Sequence, residues 1–227
     1  MVQRDGKSIG VNEGRYIPAF SYGFLTPSYD LMMRWGAREL AFKPRLVHQT
    51  SIRRGFRVLD LGCGTATLTI LLKMKHPDAE VVGLDGDKTV LEIARSKVIG
   101  AGADVMLDYG MAFEMPYPNE SFDRVVSSMV FHHLTRENKV RTLKEVYRVL
   151  KPSGELHVAD LGQPHNILMH LVSAIIGRLE EASDNVKGLL PKMFREAGFE
   201  RVEETARYMT LFGTISLYRA QKPLFKI

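Results

Sequence analysis

The chain of 227 residues has one cysteine and one tryptophan, and it lacks a long apolar run. One cysteine excludes an intramolecular disulfide framework and a cysteine-rich metal site. The longest apolar stretch, at residues 167–176, is about half of the roughly 20 residues that a bilayer-spanning helix needs. The first ten residues are polar and contain no apolar signal-peptide core. We therefore expect a reduced, cytoplasmic protein with no metal site and no stable membrane insertion.

Most of the chain also lacks an excess of one charge sign. It contains 31 Lys and Arg and 26 Asp and Glu residues, a formal charge of +5. Residues 1–57 carry ten basic and four acidic side chains, or +6, so residues 58–227 carry −1. Nucleic-acid-binding domains usually present a basic stripe, and we expect no nucleic-acid partner here. The basic segment is either a solvated face or a surface for an acidic acceptor or for weak peripheral contact with anionic lipid.

Short apolar runs alternate with helical patterns from residue 56 onward. The runs lie at 56–61, 80–84, 103–107, 122–127 and 155–160, and the helical patterns include 67–75, 88–100 and 136–150. Residues 151–154 read as a turn. This rhythm predicts an α/β fold, a doubly wound and mostly parallel sheet with helices on both faces. In such a sheet the ligand lies beyond the carboxyl ends of the strands.

The two ends of the chain depart from this alternation. Runs at 200–208 and 214–220 predict an antiparallel C-terminal hairpin, which completes a seven-stranded sheet. Residues 1–54 lack strand periodicity and predict a helical N-terminal cap or lid over the domain at 55–227. Residues 165–182 include an apolar helical pattern and are a candidate cap helix.

A glycine-rich loop follows the first predicted strand. Gly62 and Gly64 lie where backbone can approach a ligand closely and point N–H groups at it. The dinucleotide pattern G-x-G-x-x-G requires glycine where this chain has Thr67. Asp60, just before the loop, would repel a phosphate and suits a cationic ligand. A nucleotide-dependent oxidoreductase is therefore disfavoured, although it stays open. We interpret Cys63 as a small side chain that fills space in the loop and not as a nucleophile, since no activating base is evident.

Residues 58–66 resemble motif I of the class I S-adenosylmethionine (SAM) dependent methyltransferases. The resemblance runs from about residue 55 to 160, and segments 122–128 and 145–155 match the small-molecule group that includes ubiquinone- and menaquinone-biosynthesis enzymes. It implies a Rossmann-like fold, SAM as cofactor, and in-line transfer of a methyl group to a small, apolar or aromatic acceptor. The alternative is a non-catalytic SAM-binding domain that acts through partners. A homodimer also stays open.

The resemblance implies a set of cofactor contacts along the strand ends. Asp60, Gly62 and Gly64 would line the methionine part of SAM, whose sulfonium and ammonium balance the Asp60 charge, and Thr65 would reach the carboxylate. Asp85, beside Gly86, would accept hydrogen bonds from the ribose hydroxyls. The backbone at Ser127 and Ser128 would approach the ammonium. Asp87 reads instead as a helix N-cap.

The segment after the third strand departs from the family pattern. The family commonly has Gly-Asp-Ala there, and this chain has Gly110, Met111 and Ala112. Met111 cannot replace the carboxylate that binds the adenine amino group. We expect adenine to rest on the Met111 side chain, with the backbone N–H groups of Met111 and Ala112 at the ring edge. Asp108 is the alternative acceptor.

Two side chains at the same edge are candidates for catalytic roles, His133 as a general base and Asp160 on the acceptor side. His133 follows the fourth strand and Asp160 ends the fifth. The adjacent His132 and His133 would chelate a metal poorly as a pair, because neighbouring helical residues point about 100° apart. Tyr29 and its neighbouring Asp resemble a pair near the start of quinone-type enzymes, which implies a lid over the cofactor. A plain core role for the aromatic and Met residues of the cap stays open.

Overall fold

The computed structural model describes residues 39–164, 169, 182–211 and 213–224. The helices are α1 (Glu39–Gln49), α2 (Thr67–Lys75), α3 (Lys88–Gly100), α4 (Arg136–Val149), α5 (Ser183–Val186) and α6 (Leu190–Glu196), with a 3-10 turn at Phe131–His133. The strands are β1 (Arg57–Leu61), β2 (Glu80–Asp85), β3 (Met106–Tyr109), β4 (Phe122–Ser128), β5 (Leu150–Leu161), β6 (Glu200–Thr210) and β7 (Gly213–Gln221).

The strands form one seven-stranded sheet in the order β3-β2-β1-β4-β5-β7-β6. Strands β1 to β5 pair in parallel, and β7 is antiparallel to both β5 and β6. The predicted mostly parallel sheet with an antiparallel C-terminal hairpin is therefore confirmed. The chain winds outward from β1 in one direction through β2 and β3, and in the other through β4. The gap between the carboxyl ends of β1 and β4 is thus the switch point at which such sheets bind ligands.

Both faces of the sheet are covered, and β1 shows how the sequence divides between them. Successive residues of a strand point to opposite faces. Val58 packs in a cluster with Phe42 and Leu46 of α1, whereas Leu59 and Leu61 belong to the larger cluster on the other side. All five side chains are fully buried. Burial of a large apolar side chain contributes about 1.5–3 kcal/mol, so these contacts fix both helical layers to the sheet.

The start of β5 is a correction to the expected turn at 151–154. Leu150 pairs with Phe122, and the register then shifts before Glu155 pairs with Arg124. Ser153 has φ +62°, which marks the bulged part of this strand. Residues 151–154 thus form the irregular first part of β5 and not a separate turn, because Leu150 already pairs with β4.

Helix α1 lies in the predicted cap at 1–54, of which residues 39–54 are described. Besides its apolar contacts, Gln49 donates to the Tyr218 carbonyl at 3.1 Å and accepts from Thr205 Oγ1 at 2.6 Å. Residues 1–38 and most of 165–182 lie outside the described residues, so the lid and the cap helix stay predictions. In the part of the chain that is described, no helix is long and apolar enough to cross a membrane.

Candidate active site

The glycine loop between β1 and α2 curls over the end of β2. The N–H groups of Gly62 and Cys63 both donate to the Leu84 carbonyl, at 2.8 and 3.0 Å. Gly62 has φ +70°, and a Cβ atom there would lie 2.4 Å from Val130 Cγ2. Glycine is thus needed at Gly62 both for its backbone conformation and for the approach of Val130. Gly64 has φ +53° and no described heavy atom within 4 Å of a Cβ position, so this side of the loop is open.

Asp60 lies under this loop and is 1% exposed. Thr69 Oγ1 donates to its carboxylate at 2.6 Å. Burial raises the pKa of Asp60 to about 6, although the Thr69 hydrogen bond and the charge of Lys43 oppose the shift. A buried carboxylate with a raised pKa is stabilised by any cation placed near it. The environment of Asp60 is thus suited to a positively charged ligand, as the sequence predicts.

Asp85, at the end of β2, links the loop to the following turn. One carboxylate oxygen accepts from the Gly64 N–H at 2.8 Å and the other from the Asp87 N–H at 2.9 Å. Burial raises the pKa of Asp85, and backbone donors at Gly64, Asp87 and Gly86 oppose the rise. A carboxylate has about four acceptor positions, so these donors do not exhaust its capacity to accept from ligand hydroxyls. Asp87 caps α3 by accepting from Thr89 and Val90 N–H, which confirms its predicted N-cap role.

The segment after β3 lies at the same carboxyl-end edge of the sheet as Asp60, the glycine loop and Asp85, and together these form the rim of the candidate site. The Gly110 N–H donates to the Asp85 carbonyl at 3.0 Å, which places Met111 and Ala112 next to the ribose-binding candidate. Met111 and Ala112 are half-buried. The alternative acceptor, Asp108, accepts from the Tyr117 hydroxyl at 3.0 Å, so one of its oxygens is engaged within the protein. This favours the Met111 and Ala112 backbone as the adenine contact, which stays a prediction.

The two serines at the end of β4 differ in how their hydroxyls are used. Ser127 Oγ donates to the Leu61 carbonyl at 3.0 Å and ties β4 to β1. Ser128 Oγ is buried without a hydrogen-bond partner among the described residues. An unpaired buried hydroxyl costs about 1–3 kcal/mol, and a bound ligand can remove that cost. The contact of Ser128 with the ligand stays a prediction.

Asp160, at the end of β5, organises the loop that follows β4. Its fully buried carboxylate accepts from the backbone N–H groups of Val130, Phe131 and Leu161, and from the side chains of His132 and Asn185, at 2.8–3.0 Å. Burial alone would raise the pKa of Asp160, but His132 and these hydrogen bonds lower it overall. Five donors to one carboxylate indicate a positioning residue, which holds Val130 against Gly62.

The rings of the two histidines of this loop are in contact, with centroids 3.9 Å apart and planes tilted by 43°. His132 Nδ1 lies 2.9 Å from the Asp160 carboxylate and therefore carries a proton. Burial lowers the pKa of His133 to about 3, and the neighbouring His132 adds to this effect. His133 is thus neutral at pH 7, free to accept a hydrogen bond but weak as a base. The catalytic roles of His133 and Asp160 stay predictions.

Cys63 and Thr65 both point away from open solvent. Cys63 is 7% exposed and packs against Gly83, and burial raises the pKa of its thiol, which supports a filler role. Thr65 is 8% exposed, and its Oγ1 accepts from Lys97 Nζ at 2.9 Å. Lys97 is absent from the sequence-based site, because nothing local in the sequence relates it to the glycine loop. Tyr29 lies outside the described residues.

A cavity of about 380 Å³ lies at the opposite end of the sheet. It is lined by Arg53, Asp123, Arg124, Lys151 and Glu155, among others. Asp123 accepts there from the Arg57 N–H and from Lys151 Nζ, both at 2.8 Å. Lys151 pairs with Asp123 and Arg124 pairs with Glu155 at the strand starts, away from the glycine loop. Over the described ranges, no cluster of three His, Cys, Asp or Glu side chains could hold a metal ion.

Comparison with known proteins identifies the class to which this fold and rim belong. Residues 58–154 match a family described as a methyltransferase domain. The SAM-dependent methyltransferase SibL in its apo form superposes with a TM-score of 0.68, at 22% identity, over 89% of this chain and 60% of that one. The Bacillus subtilis YcgJ protein gives 0.65 at 19% identity, over 80% of this chain and 97% of that one.

The chain belongs to the class I SAM-dependent methyltransferases, and SAM is its cofactor. Among its relatives, a demethylmenaquinone methyltransferase of Listeria monocytogenes is 32% identical over 217 residues, which cover 85% of this chain and 89% of that protein. The Thermus thermophilus protein of the same name is 36% identical over 143 residues, 62% of this chain and 64% of that one. The predicted family, fold class, enzyme class and cofactor are confirmed.

Proposed function

We propose that the protein methylates a reduced, apolar quinone of the demethylmenaquinone type. The observation that carries this proposal is the extent of the match to the Listeria protein, 217 residues at 32% identity. That match extends well beyond residues 58–154, the part of the chain that matches the methyltransferase-domain family. We place acceptor recognition in the remaining segments, so a match that includes them supports a shared acceptor class.

The rim supplies groups that fit the parts of SAM, and we assign them accordingly. The open side of Gly64 and the Thr65 hydroxyl would receive the amino-acid part, and Asp60 would balance its positive charges. Asp85, beside Gly86, would hold the ribose, and Gly110 to Ala112 the adenine. The unpaired Ser128 hydroxyl is suited to a polar group of the ligand. When bound, SAM supplies an electrophilic methyl group; the protein contributes binding, alignment and exclusion of water.

Proton handling at the acceptor is the second part of the proposal. A quinol that gains a methyl group on carbon must lose a proton. His133 is neutral at pH 7 but has a low pKa, so it is better suited to orient an acceptor hydroxyl than to remove its proton. Asp160 would influence the reaction indirectly, by orienting His132 and the loop after β4. We expect the reduced acceptor to react and the oxidised quinone not to react.

Turnover of SAM to S-adenosylhomocysteine with an acceptor panel tests the function. The panel contains a demethylated naphthoquinol with a short prenyl tail, its oxidised quinone, a benzoquinol and a catechol. We expect mass spectrometry to show a singly methylated naphthoquinol, formed far faster than any other product. Asp85→Ala should bind SAM at least tenfold more weakly, because the two charge-assisted hydrogen bonds to the ribose hydroxyls are lost.

Each alternative function has its own outcome in these experiments. Binding of SAM without turnover on any acceptor would favour the non-catalytic SAM-binding domain. Binding of NAD with no SAM binding at millimolar concentration would refute the proposal. The remaining expectations are also proposals: light scattering can test the homodimer, and liposome sedimentation can test weak contact with anionic lipid. The expectations of no nucleic-acid partner and of a cytoplasmic location stay proposals as well.

A further inference from the structure

Lys97 reaches the glycine loop from a distant part of the sequence. It lies in the last turn of α3, and its Nζ donates to Thr65 Oγ1 at 2.9 Å and to Thr67 Oγ1 at 2.8 Å. The backbone around it is well supported, since Ala66 packs against Ala94 and Val98 of the same helix. The ammonium group is therefore held beside the cofactor loop by rigid elements.

The direction of the hydrogen bond between Lys97 and Thr65 determines which hydrogen bonds the Thr65 hydroxyl can still make. An ammonium group only donates, so Thr65 Oγ1 is an acceptor toward Lys97, and its own proton is left for another acceptor. None of the described residues provides a hydrogen-bond acceptor for that proton, while Thr65 itself is only 8% exposed. A buried hydroxyl that is fixed as a donor is complementary to an anionic group of a ligand.

We propose that Lys97 is a positioning residue for cofactor recognition. It fixes the Thr65 hydroxyl as a donor toward the carboxylate of bound SAM, and its charge strengthens that donor. The inference rests on the assignment of Thr65 to the cofactor carboxylate made above. It concerns the amino-acid end of SAM only, so it predicts a selective effect: ligands with a carboxylate depend on Lys97, and ligands without one do not.

Isothermal titration of Lys97→Met with three ligands tests this selectivity. SAM and S-adenosylhomocysteine have the carboxylate, and 5′-methylthioadenosine has the same nucleoside part without it. We expect the Kd of the first two to rise by about tenfold or more, as for loss of a hydrogen bond to a charged group. The Kd of 5′-methylthioadenosine should stay unchanged, and Lys97→Arg should retain part of the affinity for SAM.

A purely structural role for Lys97 would give a different pattern. A distorted loop would weaken all three ligands to a similar degree, and that result, or unchanged SAM affinity, would overturn the inference. Failure of wild-type protein to bind SAM would instead refute the proposed function.

Thr65→Val keeps the shape and removes the hydroxyl, so it tests the same inference if Lys97→Met does not fold. It should selectively weaken SAM, and the additional effect of Lys97→Met should be small in this background. Equal weakening of all three ligands by Thr65→Val would overturn the inference. Thr67→Val removes a second hydroxyl that accepts from Lys97; it is the control and should preserve the ligand selectivity.

Discussion

Replacing Asp60 with Asn should change the pH dependence of stability by an amount that follows from its burial. Burial raises the pKa of Asp60 from 3.8 to about 6. The folded protein therefore holds a proton on Asp60 that the unfolded chain releases between pH 4 and 6. Stability from this group is fully present below the unfolded pKa and is lost as pH rises to 6. A shift of about two units corresponds to about 3 kcal/mol.

Urea unfolding of wild type and Asp60→Asn between pH 4 and 7 measures this effect. Asn keeps an acceptor for Thr69 and cannot ionise. A constant offset is expected from the unpaired Asn amide hydrogens, but it does not depend on pH. The difference in unfolding free energy should therefore move by about 2–3 kcal/mol in favour of Asn from pH 4 to pH 7. A difference that stays flat with pH would refute the raised pKa.

The same variant should bind SAM at least tenfold more weakly at pH 7, because the charge that balances the sulfonium and ammonium is gone. Binding of 5′-methylthioadenosine, which is uncharged, serves as the control and should change little. Equal loss for both ligands would show that Asn distorts the loop, and no loss for either would show that Asp60 does not face the cofactor charges. The charged carboxylate is thus expected to decrease stability and increase cofactor affinity.

Three further predictions concern the same loop. Titration calorimetry should show that the affinity of the wild-type protein for SAM falls about tenfold from pH 7 to pH 5. The reason is that the cationic ligand favours ionised Asp60, and the pKa of Asp60 is about 6. Asp60→Asn should show no such loss. Gly62→Ala should lower the unfolding free energy by about 2 kcal/mol or more, because the new Cβ would meet Val130 and the residue would keep a positive φ. Adding Val130→Ala should restore part of the lost stability. Full stability of Gly62→Ala alone would contradict the close approach of Val130 to Gly62. Cys63 should react with iodoacetamide only on unfolding, because burial raises its pKa, and rapid labelling of native protein, followed by mass spectrometry, would contradict a filler role.

The sequence by itself determined the features that are local. The alternation of apolar runs and helical patterns predicted the parallel sheet and its hairpin, because hydrophobic periodicity and turn residues can be recognised within short segments of the sequence. Gly62 and Gly64 could be placed in a loop between a strand and a helix from the local pattern, and Asp87 was recognisable as an N-cap because it directly precedes a helical pattern. The structure shows that the N–H groups of Gly62 and Gly64 donate to the Leu84 carbonyl and the Asp85 carboxylate, so the contacts of these residues with SAM stay predictions. Family resemblance then supplied the cofactor.

Only the tertiary structure decided how distant residues act on that loop. Lys97 is remote from Thr65 in sequence, and Asp160 is remote from Val130, yet each pair is joined by a hydrogen bond of 2.9–3.0 Å. These contacts arise because parallel strands bring their carboxyl ends to one edge, so side chains far apart in the chain meet there. Periodicity shows which face a residue takes and where a strand ends, but the partner across the edge depends on strand order and register.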